Sequence, residues 1–204
     1  MEINIGADPV ECLIDTPVCV IAFAVENHSD DASRYQFART LNNIKVAYVL
    51  ARDQGHWYHN GILGVGDLEA SVAYVRALKP RYRRLVTLGS SYGAHGALLV
   101  GQLARVDEVI AISPIADVGI WDRQWGTTKA PSLVPGLTYD ITPLFPNGPI
   151  PKVKAFIGEA DDTVLDMPSC RALGISEVTI FPGCPHGDVA VKMRDEGYFS
   201  RLLL

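Results

Sequence analysis

At 204 residues the chain suffices for one well-cored domain and is short for two, and its 48% hydrophobic, 20% charged and 8% aromatic composition excludes disorder, collagen-like repeats and a coiled coil. Eighteen Lys and Arg against 23 Asp and Glu leave a net charge of −5, so no overall positive field exists to gather nucleic acid or anionic lipid. The four cysteines, Cys12, Cys19, Cys170 and Cys184, have no C-x-x-C spacing that would suggest zinc or dithiol chemistry, and they fit a reduced compartment. No basic segment precedes an apolar leader, and no apolar stretch approaches the ~20 residues of a membrane span. The expectation is a soluble, cytoplasmic protein with neither nucleic acid nor membrane as partner.

In chain order, residues 3–5 and 11–14 are candidate edge strands. The runs at 18–25 (VCVIAFAV) and 44–50 (IKVAYVL) are β-branched and apolar, as in strands buried on both faces of a parallel sheet. A helical pattern over 32–41 separates them. Residues 67–78 place Leu68, Val72, Val75 and Leu78 at helical spacing behind Asp67, a candidate N-cap. The basic cluster Arg81, Arg83 and Arg84 reads as a solvated helix-to-strand turn, though it would also favour an anionic substrate. Strand patterns at 85–88, 108–113, 153–158 and 177–181 follow, with a helix over 92–103.

This alternation predicts a three-layer α/β domain over 1–204, with a mostly parallel central sheet, helices on both faces and the ligand site at the carboxyl ends of the strands. Residues 116–150 break the rhythm with Trp121, Trp125 and five prolines, as an excursion that is either a small lid or a packed surface loop.

The strand at 85–88 runs directly into Gly89-Ser90-Ser91-Tyr92-Gly93, a G-x-S-x-G with Ser91 at its centre. A strand turning sharply into a helix strains its central residue, so glycines on either side avoid clashes while the hydroxyl projects outward. The start of the helix aims unpaired N–H groups at the same place. On this reading Ser91 is the nucleophile and Ser90 the weaker candidate. The Tyr92 backbone N–H is one oxyanion donor, and the second comes from the loop after 18–25, at Val25 or Glu26. Ala94, Gly96 and Ala97 keep the helix slim against the sheet.

In motif order and element order the chain resembles the α/β-hydrolase superfamily from about residue 18 to the C-terminus. That resemblance implies a triad in the order Ser, acid, His. The family's acid follows the strand after the excursion, and here 153–158 leads into Glu159-Ala160-Asp161-Asp162-Thr163-Val164, similar to the family's G-x-x-D-x-x-V. Counting from Gly158 gives Asp161, with Asp162 and Asp166 as rivals and Glu159 less favoured. The family's histidine follows the last strand, and His186, between Pro185 and Gly187, is the only histidine after the nucleophile's helix. The resemblance implies a serine hydrolase cleaving a carboxylic ester through an acyl-enzyme, with acyltransfer or thioester chemistry as variants, and with no cofactor and no metal.

Residues 52–61 (RDQGHWYHNG) are polar and aromatic, and Trp57, Tyr58 and His59 are candidate substrate contacts suited to a sugar or an aromatic acyl group, with a structural Ω loop as the equal alternative. Asp53, His56 and His59 lack the companions of a metal site, and His95 reads as buried and hydrogen-bonded. The loop signature R-D-x-x-x-x-W-Y-H-x-G followed by G-S-S-Y-G is similar to small bacterial hydrolase domains that accompany surface-polysaccharide biosynthesis. That likeness implies a small-molecule or glycan acyl ester as substrate. A noncatalytic hydrolase-like binding domain is the alternative. A nucleotide-binding reading fails, because neither glycine group carries the lysine of a P-loop.

Overall fold

The computed structural model describes residues 9–24, 37–120, 138–160 and 165–204. The elements are β1 (Val10–Cys12), β2 (Val18–Phe23), α1 (Ala38–Ile44), β3 (Ala47–Ala51), α2 (Leu68–Leu78), β4 (Arg84–Ser90), α3 (Tyr92–Ala104), β5 (Glu108–Ile112), β6 (Lys152–Gly158), α4 (Asp166–Ala172), β7 (Glu177–Phe181), α5 (Val189–Asp195) and α6 (Tyr198–Leu203). The expected strand at 3–5 lies outside the described residues, as does the part of the excursion that carries Trp121 and Trp125.

The sheet has seven strands in the order β1-β3-β2-β4-β5-β6-β7, parallel except for β1, which pairs antiparallel with β3. Its central strands β2, β3 and β5 are buried at every position, and apolar but for Glu108, because both faces are covered. Ile21, Phe23, Val49, Leu85, Val109 and Ala155 face one core with residues of α2, α3 and α4. Val20, Ala22, Leu50, Leu88, Ile110 and Phe156 face the other with residues of α1, α5 and α6. This alternation of neighbouring residues between two cores makes the three layers that the sequence predicts.

The chain runs outward from β2 to β3, then crosses back to β4 on the other side of β2. The strand order thus reverses beside β2 and β4, and in open parallel sheets the crevice beyond the strand ends at such a reversal is where ligands bind.

Two local expectations are refined. Residues 44–46 belong to the end of α1 and its turn rather than to a strand, because Lys45 adopts a left-handed conformation (φ 56°) that closes the helix. Asp67 does cap α2, its carboxylate accepting the Ala70 N–H at 2.8 Å. Arg84 opens β4, where its guanidinium meets Glu108 at 2.8 Å and the Leu202 carbonyl at 2.6 Å. Arg84 sits at the opposite end of β4 from Ser91. The four cysteines are buried and form no disulfide among the described residues. Among the described residues no helix is long and apolar enough to cross a membrane.

Candidate active site

Ser91 stands between the last residue of β4 and the first of α3 with φ 51° and ψ −114°, a conformation that side-chain-bearing residues rarely adopt. Such a backbone costs about 1–3 kcal/mol and persists only where its surroundings enforce it. The enforcement is visible. The Ser91 N–H donates to the Ile112 carbonyl at 2.8 Å, and the Ser91 carbonyl accepts from Ala94 N at 3.0 Å and His95 N at 3.2 Å. A Cβ on Gly89 would lie 2.0 Å from the Gly93 carbonyl oxygen, and one on Gly93 would lie 2.3 Å from the Phe23 carbonyl oxygen. Both glycines of the motif are therefore required by close backbone approach, and the second lets the end of β2 pass directly against the elbow.

His186 begins a short 3-10 turn after β7 and is 8% exposed. Its backbone is fixed by Ser113, whose hydroxyl donates to the His186 carbonyl at 3.0 Å. The N–H groups of Glu159 and Ala160 donate to the Cys184 carbonyl at 3.1 and 3.3 Å, tying the end of β6 to the loop that presents the imidazole. His186 Nε2 lies 2.8 Å from Ser91 Oγ, and Nδ1 lies 2.8 Å from Asp166 Oδ1. A carboxylate only accepts, so the proton of the neutral ring sits on Nδ1 and Nε2 is left to accept from the serine hydroxyl.

The acid at the histidine is thus Asp166, one of the two rivals to Asp161. Asp161 and Asp162 lie outside the described residues. The count from Gly158 assumed that the turn ending β6 presents the carboxylate. The carboxylate found on His186 instead opens α4, where Asp166 is fully buried, with Oδ2 making no hydrogen bond among the described residues.

Tyr92 is the first residue of α3, so its N–H has no carbonyl one turn back within the helix. Val25, the other expected oxyanion donor, and its alternative Glu26 lie outside the described residues.

Beside the elbow, residues 53–61 form a packed turn, the structural alternative to a substrate-lining loop. His56, Trp57 and Tyr58 have φ of 59°, 57° and 66°, three consecutive left-handed residues without a glycine among them. Each costs roughly 1–2 kcal/mol. Asp53 offsets this by accepting the N–H groups of Gly55 (2.8 Å), Trp57 (3.1 Å) and Tyr58 (2.9 Å), and it also accepts the Tyr92 hydroxyl. Burial pushes the Asp53 carboxyl up, against the opposing pull of those N–H groups and of His56.

Trp57 and Tyr58 are 3% and 0% exposed, so both are corrected from substrate contacts to core residues. Trp57 stacks against Tyr92 at 4.2 Å between centroids, and the Tyr58 ring fills the space over Gly96, where a Cβ would lie 2.3 Å from Cδ2. Gly96 is therefore small for Tyr58 rather than for the sheet. His59 is half-buried, with Nε2 3.1 Å from His95 Nε2. His95 is wholly buried, held down to about 3 by burial, and its Nδ1 lies 2.8 Å from the Ile115 carbonyl. The neutral His95 ring donates from Nδ1 and accepts the Nε2 proton of His59. His56 Nδ1 lies 3.1 Å from the Tyr139 hydroxyl. Among the described residues no three His, Cys, Asp or Glu side chains gather as a metal site.

A cavity of about 330 Å³ opens between residues 115–120 and 165–172, lined by Ile115, Ala116, Ile120, Leu165 and Pro168, with Asp117 among them. Leu165 and Pro168 stand on either side of Asp166 in the chain.

No family model and no curated protein sequence matches the chain. Solved structures do. The capsule O-acetyltransferase of Neisseria meningitidis serogroup A superposes with a TM-score of 0.66 at 15% identity over 95% of this chain and 94% of that one. In its complex with caged gadolinium the TM-score is 0.69 at 17% identity over 95% and 93%. Est1E from Butyrivibrio proteoclasticus gives 0.54 at 16% identity over 91% and 88%. XCC1541 from Xanthomonas campestris, named for the alpha/beta hydrolase superfamily, gives 0.50 at 13% identity over 91% and 96%. At these identities the likeness is one of fold, and the chain has the three-layer α/β-hydrolase fold.

Proposed function

We propose that this chain, built on the α/β-hydrolase fold, is a serine enzyme that cleaves a carboxylic ester through an acyl-enzyme intermediate. The observation that carries this reading is the relay Ser91 Oγ to His186 Nε2 to Asp166 Oδ1, both contacts at 2.8 Å, hung on a serine with positive φ. His186 takes the Ser91 proton as the hydroxyl oxygen attacks the ester carbonyl, while the Asp166 carboxylate holds Nδ1–H and stabilises the imidazolium. The Tyr92 and Val25 N–H groups receive the negative charge of the tetrahedral intermediate. Its collapse expels the alcohol with the proton from His186. Water, deprotonated by the same imidazole, then releases the acid and restores the serine.

The test is intact-mass analysis after treatment with a fluorophosphonate. One adduct on wild type, absent from Ser91→Ala and strongly slowed in His186→Ala, is expected. A folded wild-type protein that takes no adduct would move the weight to a noncatalytic binding domain.

A second reading is supported by the match to a capsule O-acetyltransferase over nearly the full length of both chains. In it the acyl group passes from Ser91 to a carbohydrate hydroxyl rather than to water, with His186 deprotonating the acceptor. The two readings separate by product: with an acetyl ester as donor, added mono- or oligosaccharide diverts the acetyl group from acetate to sugar ester only in the second.

A further inference from the structure

We propose that Ser113, where the chain leaves β5, is a positioning residue that sets the placement of His186 against Ser91 in the reaction proposed above, on which this inference rests. Ser91 follows β4 and His186 follows β7, and β5 and β6 lie between those two strands in the sheet. Neighbouring strands stand about 4.8 Å apart, so the loop that carries the imidazole reaches back across about 14 Å of strand ends to bring Nε2 to the serine. The contact it makes there, at 2.8 Å, tolerates little displacement. A reach of that length is placed by what it rests on.

Ser113 lies midway along that reach and is wholly buried. Its N–H donates to the Phe156 carbonyl of β6 at 2.8 Å, and its hydroxyl donates to the His186 carbonyl at 3.0 Å. The residue before it, Ile112, accepts the Ser91 N–H at 2.8 Å. Two consecutive residues thus hold the backbone of the nucleophile on one side and the backbone of the base on the other, while β6 fixes the corner between them. The same segment continues to the acid. The Ile115 carbonyl lies 2.8 Å from Nδ1 of His95, one turn into the helix from Ser91, and Ala116 N–H donates to Ser169 Oγ at 3.1 Å, three residues after Asp166 in α4. Residues 112–116 therefore touch the mounting of every member of the relay.

The backbone of Ser113 points the same way. Its φ is 47°, a left-handed conformation that glycine takes freely and that side-chain-bearing residues seldom adopt. Glycine would meet the need for a turn at this corner without strain. A serine there is strained for the sake of its hydroxyl, and the hydroxyl goes to the loop of the base.

The experiment uses the full chain and two variants that remove the hydroxyl, Ser113→Ala and Ser113→Gly, of which only the second also relieves the positive φ. Tyr48→Phe is the control, since it gives up a hydroxyl contact between β3 and α1, to Asn42 Oδ1 at 3.0 Å. Fluorophosphonate labelling of wild type at Ser91 is read first, and its absence overturns the proposed function together with this inference. With labelling established, both Ser113 variants are expected to lower kcat for an aryl acetate by about 10- to 100-fold with KM unchanged, the order that a displacement of about 1 Å at the reacting groups produces. The two fall alike, although Ser113→Gly unfolds at higher urea than Ser113→Ala because it alone is free of the strain. The far-downfield proton resonance of His186 Nδ1–H, sharp in wild type and in Tyr48→Phe, broadens in both as the imidazole loses its fixed contact with Asp166. Tyr48→Phe keeps the wild-type kcat. Folded Ser113 variants with wild-type kcat, a kcat that recovers in Ser113→Gly in step with its stability, or a fall in kcat with the resonance unchanged overturns the inference and leaves the proposed reaction standing. Failure of both variants to fold also overturns it, assigning Ser113 a structural role alone.

Discussion

The elbow at Ser91 and the turn at residues 56–58 store the same kind of strain, non-glycine residues at positive φ, and they are held by opposite means. At the elbow the backbone itself does the holding: β4 and α3 leave one residue between them, and Gly89 and Gly93 supply the room. At the turn one side chain does most of it, since Asp53 accepts three N–H groups of the loop together with the Tyr92 hydroxyl, which itself accepts the Trp57 N–H at 3.1 Å. Strain held by regular elements survives the loss of the strained residue's side chain. Strain held by one carboxylate does not.

The sharpest way to break the comparison is to relieve each strain in turn. Ser91→Gly removes the nucleophile and the Cβ that positive φ disfavours. Activity on an aryl acetate should fall at least about 1,000-fold, while stability in urea denaturation rises by about 1 kcal/mol. Unchanged or lower stability would mean that the elbow is not strained. Asp53→Ala should act in the other sense, lowering stability by about 3 kcal/mol as the N–H groups of Gly55 and Tyr58 lose their acceptor and that of Trp57 keeps only the Tyr92 hydroxyl.

The smallest expected effect concerns pH. His95 is held down to about 3 from the ordinary histidine value, so the folded state keeps it neutral where the unfolded chain takes up a proton. Its contribution to stability is therefore complete above about pH 6.5 and is lost as the pH falls from there towards 3, with a slope of up to about 1.4 kcal/mol per pH unit. His95→Gln, which can still donate to the Ile115 carbonyl and accept from His59, should flatten that slope. Denaturant unfolding at about pH 7, 6 and 5 reads it.

The contrast between the two regions also explains what the sequence made legible. The strand-helix alternation, the G-x-S-x-G at Ser91, the loop histidine His186, the cap at Asp67 and the buried His95 each follow from local pattern or chain order, and the structure places them as that pattern implies. The acid was legible only as a set. Asp161, Asp162 and Asp166 are chemically alike, and the choice depends on where α4 begins, which is set by packing after β6. The aromatic run Trp57-Tyr58-His59 suggested a binding surface because a strand-end loop usually faces the site. Its burial depends on three left-handed residues that no propensity favours, and the one available signal was Asp53 two residues before Gly55, an acceptor poised to close a turn.

The most direct test of the central claim compares second-order rates of Ser91 labelling by a fluorophosphonate in wild type, Asp166→Asn and Asp161→Asn. An amide at the orienting position leaves the geometry while favouring the wrong imidazole tautomer, so Asp166→Asn should slow labelling by about three to four orders of magnitude. Asp161→Asn should label close to the wild-type rate. Fast labelling of Asp166→Asn with slow labelling of Asp161→Asn would contradict the relay through Asp166 and return the acid to the position counted from Gly158.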